Sequence, residues 1–493
     1  MLKLENITYR YADNPQPALL NVSLEVSTGE AVCVMGANGS GKSTFAKLAA
    51  GLIKSQQGRI SVSVDESAPI PVGLLFQNPD NQMVAVTVEK EIAFVLENLG
   101  ISQVEMEKRI QSILKRFSIE HLRRRLTAEL SVGEKQRVAL AALLVCNPPV
   151  LVLDEPDSFL DSEGRDLFRR QLERIKTHSP ELTIIEISQY PQVACEYERL
   201  IVFQNGRVAA DGRPESILQN KSFCLKSGID FDISAGKQIE LPDDLNLQKK
   251  LNESTVSRIA LARVSFAYPG SDKVALQHFT GELNSSEITA ITGPSGSGKS
   301  TLGMLMCGII EPDAGDIRRF DENGLTIDKK IIRGQITAAL QQPERQFFLH
   351  TCEQEVEFGP RNLGQAISRK SVQSFFRVVG LSFEQFFERD PFTLSLGEKR
   401  RLAFASILSM LPKFIIFDEP TCALDREGVG RFILLARALN EAGVGVVIIS
   451  HDDEIIKTLA DKIIALDGRG NFWIMPKEKY FEKDARNSNA VAN

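Results

Sequence analysis

The chain has 493 residues, enough for two to four domains that each bury a core of their own. Apolar residues make up 43% and charged residues 25%, with 34 Gly and 21 Pro; these are near the averages for soluble globular proteins and exclude disordered, collagenous and disulfide-scaffold classes. The formal charge of −6, from 58 Lys and Arg against 64 Asp and Glu, gives no sign of a nucleic-acid-binding chain, and no apolar run reaches the roughly 18 residues of a membrane span.

The first predicted element, within Met1–Tyr11, alternates apolar and polar residues as a strand does. It lacks the apolar stretch of a signal peptide, so a cytoplasmic location is expected. The seven cysteines are scattered with no CxxC pair, which fits reduced thiols. Ala31–Met35 reads as a buried strand, Gly36–Thr44 as a glycine-rich turn (GANGSGKST) and Lys42–Leu52 as the helix behind it. A helical insert is expected near residues 88 to 146, and within it Ser131 of Leu130–Gln136 is a good helix N-cap. Val150–Asp154 and Thr183–Ile187 read as further buried strands. Between Arg213 and Ser257 the apolar periodicity weakens, with Pro242 near the centre, which sets a first domain at 1–222 and a linker at 223–257.

The series is then repeated. Gly293–Thr301 (GPSGSGKST) follows the strand Ile288–Thr292, Leu394–Arg400 matches Leu130–Gln136, and Phe414–Asp418 and Val444–Ile449 match the later strands. Tyr11 pairs with Tyr268 at the same offset as Gly36 with Gly293. Leu130 with Leu394 and Asp154 with Asp418 share an offset seven residues longer, which a single insertion explains. The second domain is placed at 258–485, with a tail at 486–493. Continuous apolar runs point to parallel strands covered on both faces. The expected fold is α/β: two homologous domains, each with a mainly parallel sheet, a small antiparallel sheet and a helical subdomain.

The pattern GxxxxGK[ST] is a P-loop, in which backbone N–H groups and a helix N-terminus surround phosphate oxygens. The residues that would cradle a nucleotide are Gly36, Asn38, Gly39, Ser40, Gly41, Lys42, Ser43 and Thr44 in the first copy. In the second they are Gly293, Ser295, Gly296, Ser297, Gly298, Lys299, Ser300 and Thr301. Lys42 and Lys299 would reach the β- and γ-phosphates, and Ser43 and Ser300 would ligate Mg²⁺. Asp154 and Asp418, each closing an apolar strand, are placed to hold the same metal, as in a Walker B strand. The adjoining Glu155 and Glu419 are candidate general bases for the attacking water. His121, His178, His278 and His350 form no ligand cluster in the sequence.

A P-loop, the LSVGEKQ and LSLGEKR segments, and a Walker B strand at the same distance after each together resemble the ABC ATPase family, whose signature is LSGGQ. Val132 and Leu396 replace its first Gly, and Glu134 and Glu398 its Gln; Ser131, Gly133, Ser395 and Gly397 remain. The resemblance implies ATP and Mg²⁺ as ligands and an intramolecular pseudo-dimer in which each ATP lies between one P-loop and the other domain's signature. It further implies that Tyr11 and Tyr268 stack on adenine, that Gln77 and Gln341 are the Q-loop residues contacting Mg²⁺ and the water, and that Asp161 and Asp425 belong to the D-loops. His451 matches the switch histidine, whereas the first copy has Gln189 there. A Gln amide donates a hydrogen bond but carries no charge, so the site with Lys299, Glu419 and His451 is expected to turn over faster than the one with Lys42, Glu155 and Gln189.

The stretches Phe76–Gly100 and Gln341–Gly364 are similar to the ATPase subunits of energy-coupling factor (ECF) importers for vitamins, vitamin precursors and transition-metal ions. That resemblance implies two membrane partners, an integral scaffold subunit and a substrate-binding subunit, with this chain peripheral on the cytoplasmic face and no nucleic acid bound. The fused ATPase of a sugar or nucleoside importer, a soluble tandem ABC translation factor and a purely structural duplicated module stay open as alternatives.

Overall fold

The computed structural model describes residues 1–12, 16–62, 70–230, 239–242, 255–270, 274–327, 333–422 and 424–482. The chain divides into two compact units, one built on Met1–Phe231 and one on the remainder.

In the first unit the strands are β1 (Leu2–Tyr9), β2 (Leu19–Val26), β3 (Ala31–Met35), β4 (Gln57–Val62), β5 (Val72–Leu75), β6 (Val150–Asp154), β7 (Thr183–Ile187), β8 (Arg199–Gln204) and β9 (Arg207–Gly212). They form a six-stranded sheet in the order β5-β6-β7-β3-β8-β9 and a three-stranded sheet in the order β2-β1-β4. All pairings in the larger sheet are parallel except β8 with β9, and β1 pairs antiparallel on both sides.

The parallel strands are apolar throughout because both faces are covered. Successive side chains point to opposite faces. Val152 and Ile185 pack with the small sheet and with Phe45 and Leu48 of helix Lys42–Ala49. Leu151, Leu153 and Ile184 pack with Val138 of helix Val132–Leu144 and Phe168 of helix Ser162–His178. The predicted insert consists of helices Val88–Asn98, Gln103–Arg116 and Val132–Leu144.

The second unit repeats the plan. Its strands are β10 (Arg258–Ala267), β11 (Val274–Asn284), β12 (Ile288–Thr292), β13 (Ala314–Phe320), β14 (Ile336–Ala339), β15 (Phe414–Asp418), β16 (Gly445–Ile449), β17 (Lys462–Leu466) and β18 (Phe472–Pro476). The sheet orders are β14-β15-β16-β12-β17-β18 and β11-β10-β13, the counterparts of the first unit's orders. In both units the strand that feeds the P-loop lies inside the sheet between two parallel neighbours, so the P-loop and the ends of the next strands meet along one carboxyl edge. Ligands of open α/β sheets bind along such an edge.

The chain after residue 222 differs from the sequence expectation of a linker. Helix Lys221–Ser227 is capped by the Asn220 side chain, and Cys224 and Ile229 are buried with Met35 and Leu200 in the first unit. The Ser227 carbonyl also accepts the Ala37 N–H, which steadies the P-loop. A helix this short shows less than two turns of periodicity, which explains why its pattern is weak. Ile239 and Leu241 pack on the second unit's core. The middle of the expected linker and the tail at 486–493 lie outside the described residues. No helix among the described residues is long and apolar enough to cross a membrane.

Candidate active site: two P-loops, two strand-end carboxylates

Each P-loop needs glycine where the backbone passes close to a neighbouring strand. At Gly36 φ is +143° and an added Cβ would lie 2.1 Å from the Phe203 carbonyl oxygen; at Gly41 (φ +108°) it would lie 2.5 Å from that of Ala18. Gly293 and Gly298 repeat this against Leu466 (2.1 Å) and Ala275 (2.3 Å). Asn38, Gly39, Ser295 and Gly296 sit on the open side of the loops, whereas Ser40 and Ser297 are buried beneath. Such a loop is a cradle only backbone can fill, and it suits an anionic phosphate.

Lys42 folds across its loop, its Nζ donating to the carbonyls of Gly36 (2.7 Å) and Ala37 (2.9 Å). Burial holds its pKa below the usual lysine value, against the opposing pull of Glu155 and Asp154. Lys299 Nζ likewise donates to the carbonyls of Gly293 (2.7 Å) and Pro294 (2.9 Å). Ser43 Oγ donates to Asp154 Oδ1 at 3.3 Å. Burial raises the Asp154 carboxyl, opposed by the Ser43 hydroxyl and the Lys42 charge. Burial likewise pushes Asp418 up to about 6, opposed first by the Ser300 hydroxyl. A hydroxyl, a carboxylate and a nearby glutamine form an all-oxygen donor set, which suits Mg²⁺. Ser300, Gln341 and Asp418 line one cavity of about 290 Å³.

The residue after each aspartate has unusual backbone. Glu155 (φ 47°) and Glu419 (φ 48°) lie in the left-handed region, at a cost of about 1–2 kcal/mol. Their N–H groups donate to the last residues of the neighbouring strands, Ile187 (3.0 Å) and Ile449 (2.8 Å), which hold the turn. The turn aims both carboxylates along the carboxyl edge. Glu155 accepts Gln77 Nε2 (2.7 Å), Gln189 Nε2 (2.6 Å) and Ser158 Oγ (3.2 Å). Burial raises its pKa to about 7, opposed chiefly by Lys42. Around Glu419 the partner is different: His451 Nδ1 lies 2.8 Å from Glu419 Oε1. The two units thus share a carboxylate and differ in what touches it.

Tyr11 and Tyr268 reach the first turn of their P-loop helices, the hydroxyls 3.4 Å and 3.1 Å from Thr44 Oγ1 and Thr301 Oγ1. Each ring meets a second aromatic edge-on, Tyr9 or Phe266, at 5.0 Å.

Ser131 and Ser395 cap helices Val132–Leu144 and Leu396–Leu408. The glutamates that depart from LSGGQ close capping boxes: Glu134 Oε2 accepts the Ser131 N–H at 2.7 Å and Glu398 Oε2 the Ser395 N–H at 2.9 Å. Gly133 and Gly397 lie in the first turns of these helices. Replacing Ser131 by Ala is expected to destabilise the first unit by about 1 kcal/mol, read as a lower urea midpoint with unchanged slope.

Two features escaped the sequence reading. One is the side chain one turn into each signature helix, Gln136 in the first unit and Arg400 in the second, both 1% exposed. The other is a buried ionic cluster in the first unit. Arg169 lies 2.6 Å from Asp157 Oδ2 and 2.6 Å from Glu186 Oε1, and Tyr197 donates to Glu186. Glu186 interrupts the apolar run TIIEI, a signal that was visible in the sequence; its partners were not.

A P-loop, an acid pair ending the strand two places along the sheet from the one that feeds it, and a polar residue following the strand between them define a P-loop nucleoside triphosphatase. Residues 19–158 and 276–422 match the ABC transporter family, and the chain belongs to that family, as an ATP-binding, ATP-hydrolysing enzyme. It is 30% identical to a Bacillus subtilis protein named, by inference, the HMP/thiamine import ATP-binding protein YkoD, over 95% of this chain and 90% of that one. It is 29% identical to a Caldanaerobacter subterraneus protein named, also by inference, an ABC transporter ATP-binding protein, over 98% and 92%. Among solved structures it resembles the archaeal ribosome recycling factor aABCE1, seen in complex with the ribosomal stalk protein aP1. That match has 20% identity and a TM-score of 0.65 over 98% of this chain and 92% of that one, a likeness of fold alone.

Proposed function

We propose that the chain is the fused ATPase of an ECF-type importer for a vitamin, vitamin precursor or transition-metal ion. It would be peripheral on the cytoplasmic face and bound to an integral scaffold subunit and a substrate-binding membrane subunit. In this reading Lys42 and Lys299 hold the β- and γ-phosphates of ATP, and Tyr11 and Tyr268 stack on adenine. Glu155 and Glu419 orient the attacking water and take its proton, with Gln189 or His451 alongside. Mg²⁺, held by Ser43, Gln77 and Asp154 or by Ser300, Gln341 and Asp418, supplies charge neutralisation of the transferring phosphoryl group. Each ATP would be enclosed by one unit's P-loop and the other's Ser131–Gly133 or Ser395–Gly397 signature, an arrangement that rests on the family resemblance.

The observation that carries the importer reading is the surface just after each Q-loop glutamine. Val84 and Val86 are 64% and 66% exposed, and Phe94 on the following helix 45%. Phe348 (57%) and Phe358 (36%) occupy the corresponding stretch of the second unit. These loops are held in place from below: buried Glu91 accepts the N–H groups of Val84 (3.0 Å) and Ala85 (2.7 Å), and buried Glu355 those of Phe348 (2.6 Å) and Leu349 (2.5 Å). Apolar side chains displayed on an anchored loop suit a partner surface. A segment docked there would adjoin the glutamine that touches Glu155.

Co-expression with an integral scaffold subunit and a small substrate-binding membrane subunit of an ECF-type importer tests this reading. The wild-type chain should be captured with them in detergent. The double change Val84→Asp and Phe348→Asp should abolish capture while fluorescent ATP still binds. Sedimentation with ribosomes and no capture by membrane proteins would overturn it.

A further inference from the structure

Arg400 projects from helix Leu396–Leu408 into the interior of the second unit and is among its largest fully buried side chains. One guanidinium nitrogen donates to the Glu419 carbonyl oxygen, and the other to that of Gln341 at 2.9 Å. One rigid fork therefore joins two separate segments: the left-handed residue that carries the candidate base, and the glutamine that begins the partner-facing stretch. Hydrogen bonds from a charged donor are stronger than those from a neutral one, and the planar guanidinium fixes the two acceptors relative to each other.

The first unit is built differently. Gln136 holds the same position, and its amide donates once, to the Pro156 carbonyl at 2.9 Å; its Oε1 has no hydrogen-bond partner. There the tie between base and Q-loop is made by side chains instead, Gln77 to Glu155 at 2.7 Å. A side-chain contact can part while the backbone keeps its place. Parting the Arg400 fork would strip a further acceptor from a buried cation whose Nε already has no hydrogen-bond partner.

We propose that Arg400 is a positioning residue that locks the Gln341 segment to the Glu419 turn, so that hydrolysis in the second unit proceeds only while the Q-loop holds one position, whereas the first unit lacks this lock. The proposal rests on the roles given above to Glu419 and Gln341.

The test is Arg400→Gln, which installs the residue the first unit uses, in a full-length Glu155→Gln background so that turnover reports the second unit. The expected result is a kcat lower by on the order of 10- to 100-fold with the KM for ATP within about twofold, because misplacement of the base costs rate rather than binding. Hydrogen exchange should accelerate in peptides covering residues 340–347 and 418–420 and stay unchanged elsewhere. Arg400→Lys, whose single ammonium is a point donor without the fork, should give an intermediate kcat. An unchanged kcat, a rise in KM at constant kcat, or faster exchange throughout the second unit would overturn the proposal, the last by reducing Arg400 to a stability role. Glu419→Gln in the same background is the control: if it retains turnover, the assignment of the base fails, whatever Arg400 does.

Discussion

Replacing Glu419 by Gln is expected to lower steady-state ATP hydrolysis by the full chain by on the order of 10²-fold, whereas Glu155→Gln should cost no more than about twofold. Both substitutions remove a carboxylate at a left-handed strand end while keeping its shape. The difference lies in the neighbours. His451 Nδ1 is 2.8 Å from Glu419 and can carry a positive charge towards a developing phosphate charge. Glu155 is met by two neutral amides, Gln77 and Gln189. If the second unit does most of the hydrolysis, removing its base exposes the slow remainder, and removing the first base is hardly seen. Phosphate-release assays on the two variants and on wild type check this; equal losses would refute the asymmetry. Gln189→His should then raise the rate left in Glu419→Gln.

Arg169→Met is expected to destabilise the first unit by about 3–5 kcal/mol, because it strands two buried carboxylates without their cation. Glu186 is fully buried and Asp157 nearly so. In the second unit the positions of Asp157, Arg169 and Glu186 hold Thr421, Ile433 and Ile448, a set without a charge. Replacing all three accordingly (Asp157→Thr, Arg169→Ile and Glu186→Ile), with Tyr197→Phe to remove the hydroxyl left without its acceptor, should therefore recover most of the loss, since a packed apolar set is often as stable as a buried ion cluster. Burial already raises the Glu186 carboxyl, with Arg169 as the main opposing influence. Without Arg169 its folded pKa rises further above the unfolded value, so the folded form binds the extra proton and stability falls as pH rises through that interval. The Arg169→Met penalty should thus be larger at pH 8 than at pH 5, as urea midpoints at the two values would show. A pH-independent loss below about 1 kcal/mol would show that the cluster is not closely coupled.

Much of the architecture was legible because it is local or repeated. Ala31–Met35, Val150–Asp154 and Thr183–Ile187 are strands with the predicted bounds, since a run apolar on both faces has few other places to go. The P-loop helix ends at Ala49 rather than Leu52, within the fraying expected of helix ends. The linker's start was misplaced because helix Lys221–Ser227 takes its stability from Met35 and Leu200, which are distant in sequence.

By itself the sequence determined that there are two copies of one α/β ATPase unit, where the phosphate-binding turns and strand-end carboxylates fall, and that one copy has Gln where the other has His. Those facts reside in short contiguous motifs whose chemistry needs few residues at fixed spacing. Only the tertiary structure decided which groups touch those carboxylates: the amides of Gln77 and Gln189 on Glu155, the Arg400 fork behind Glu419, and the Asp157–Arg169–Glu186 cluster of the first unit. Each of these joins segments far apart in the chain. Pairing between buried polar groups is set by which side chains the packed sheet and helices bring within about 3 Å of one another, a quantity that composition, periodicity and motif spacing do not encode.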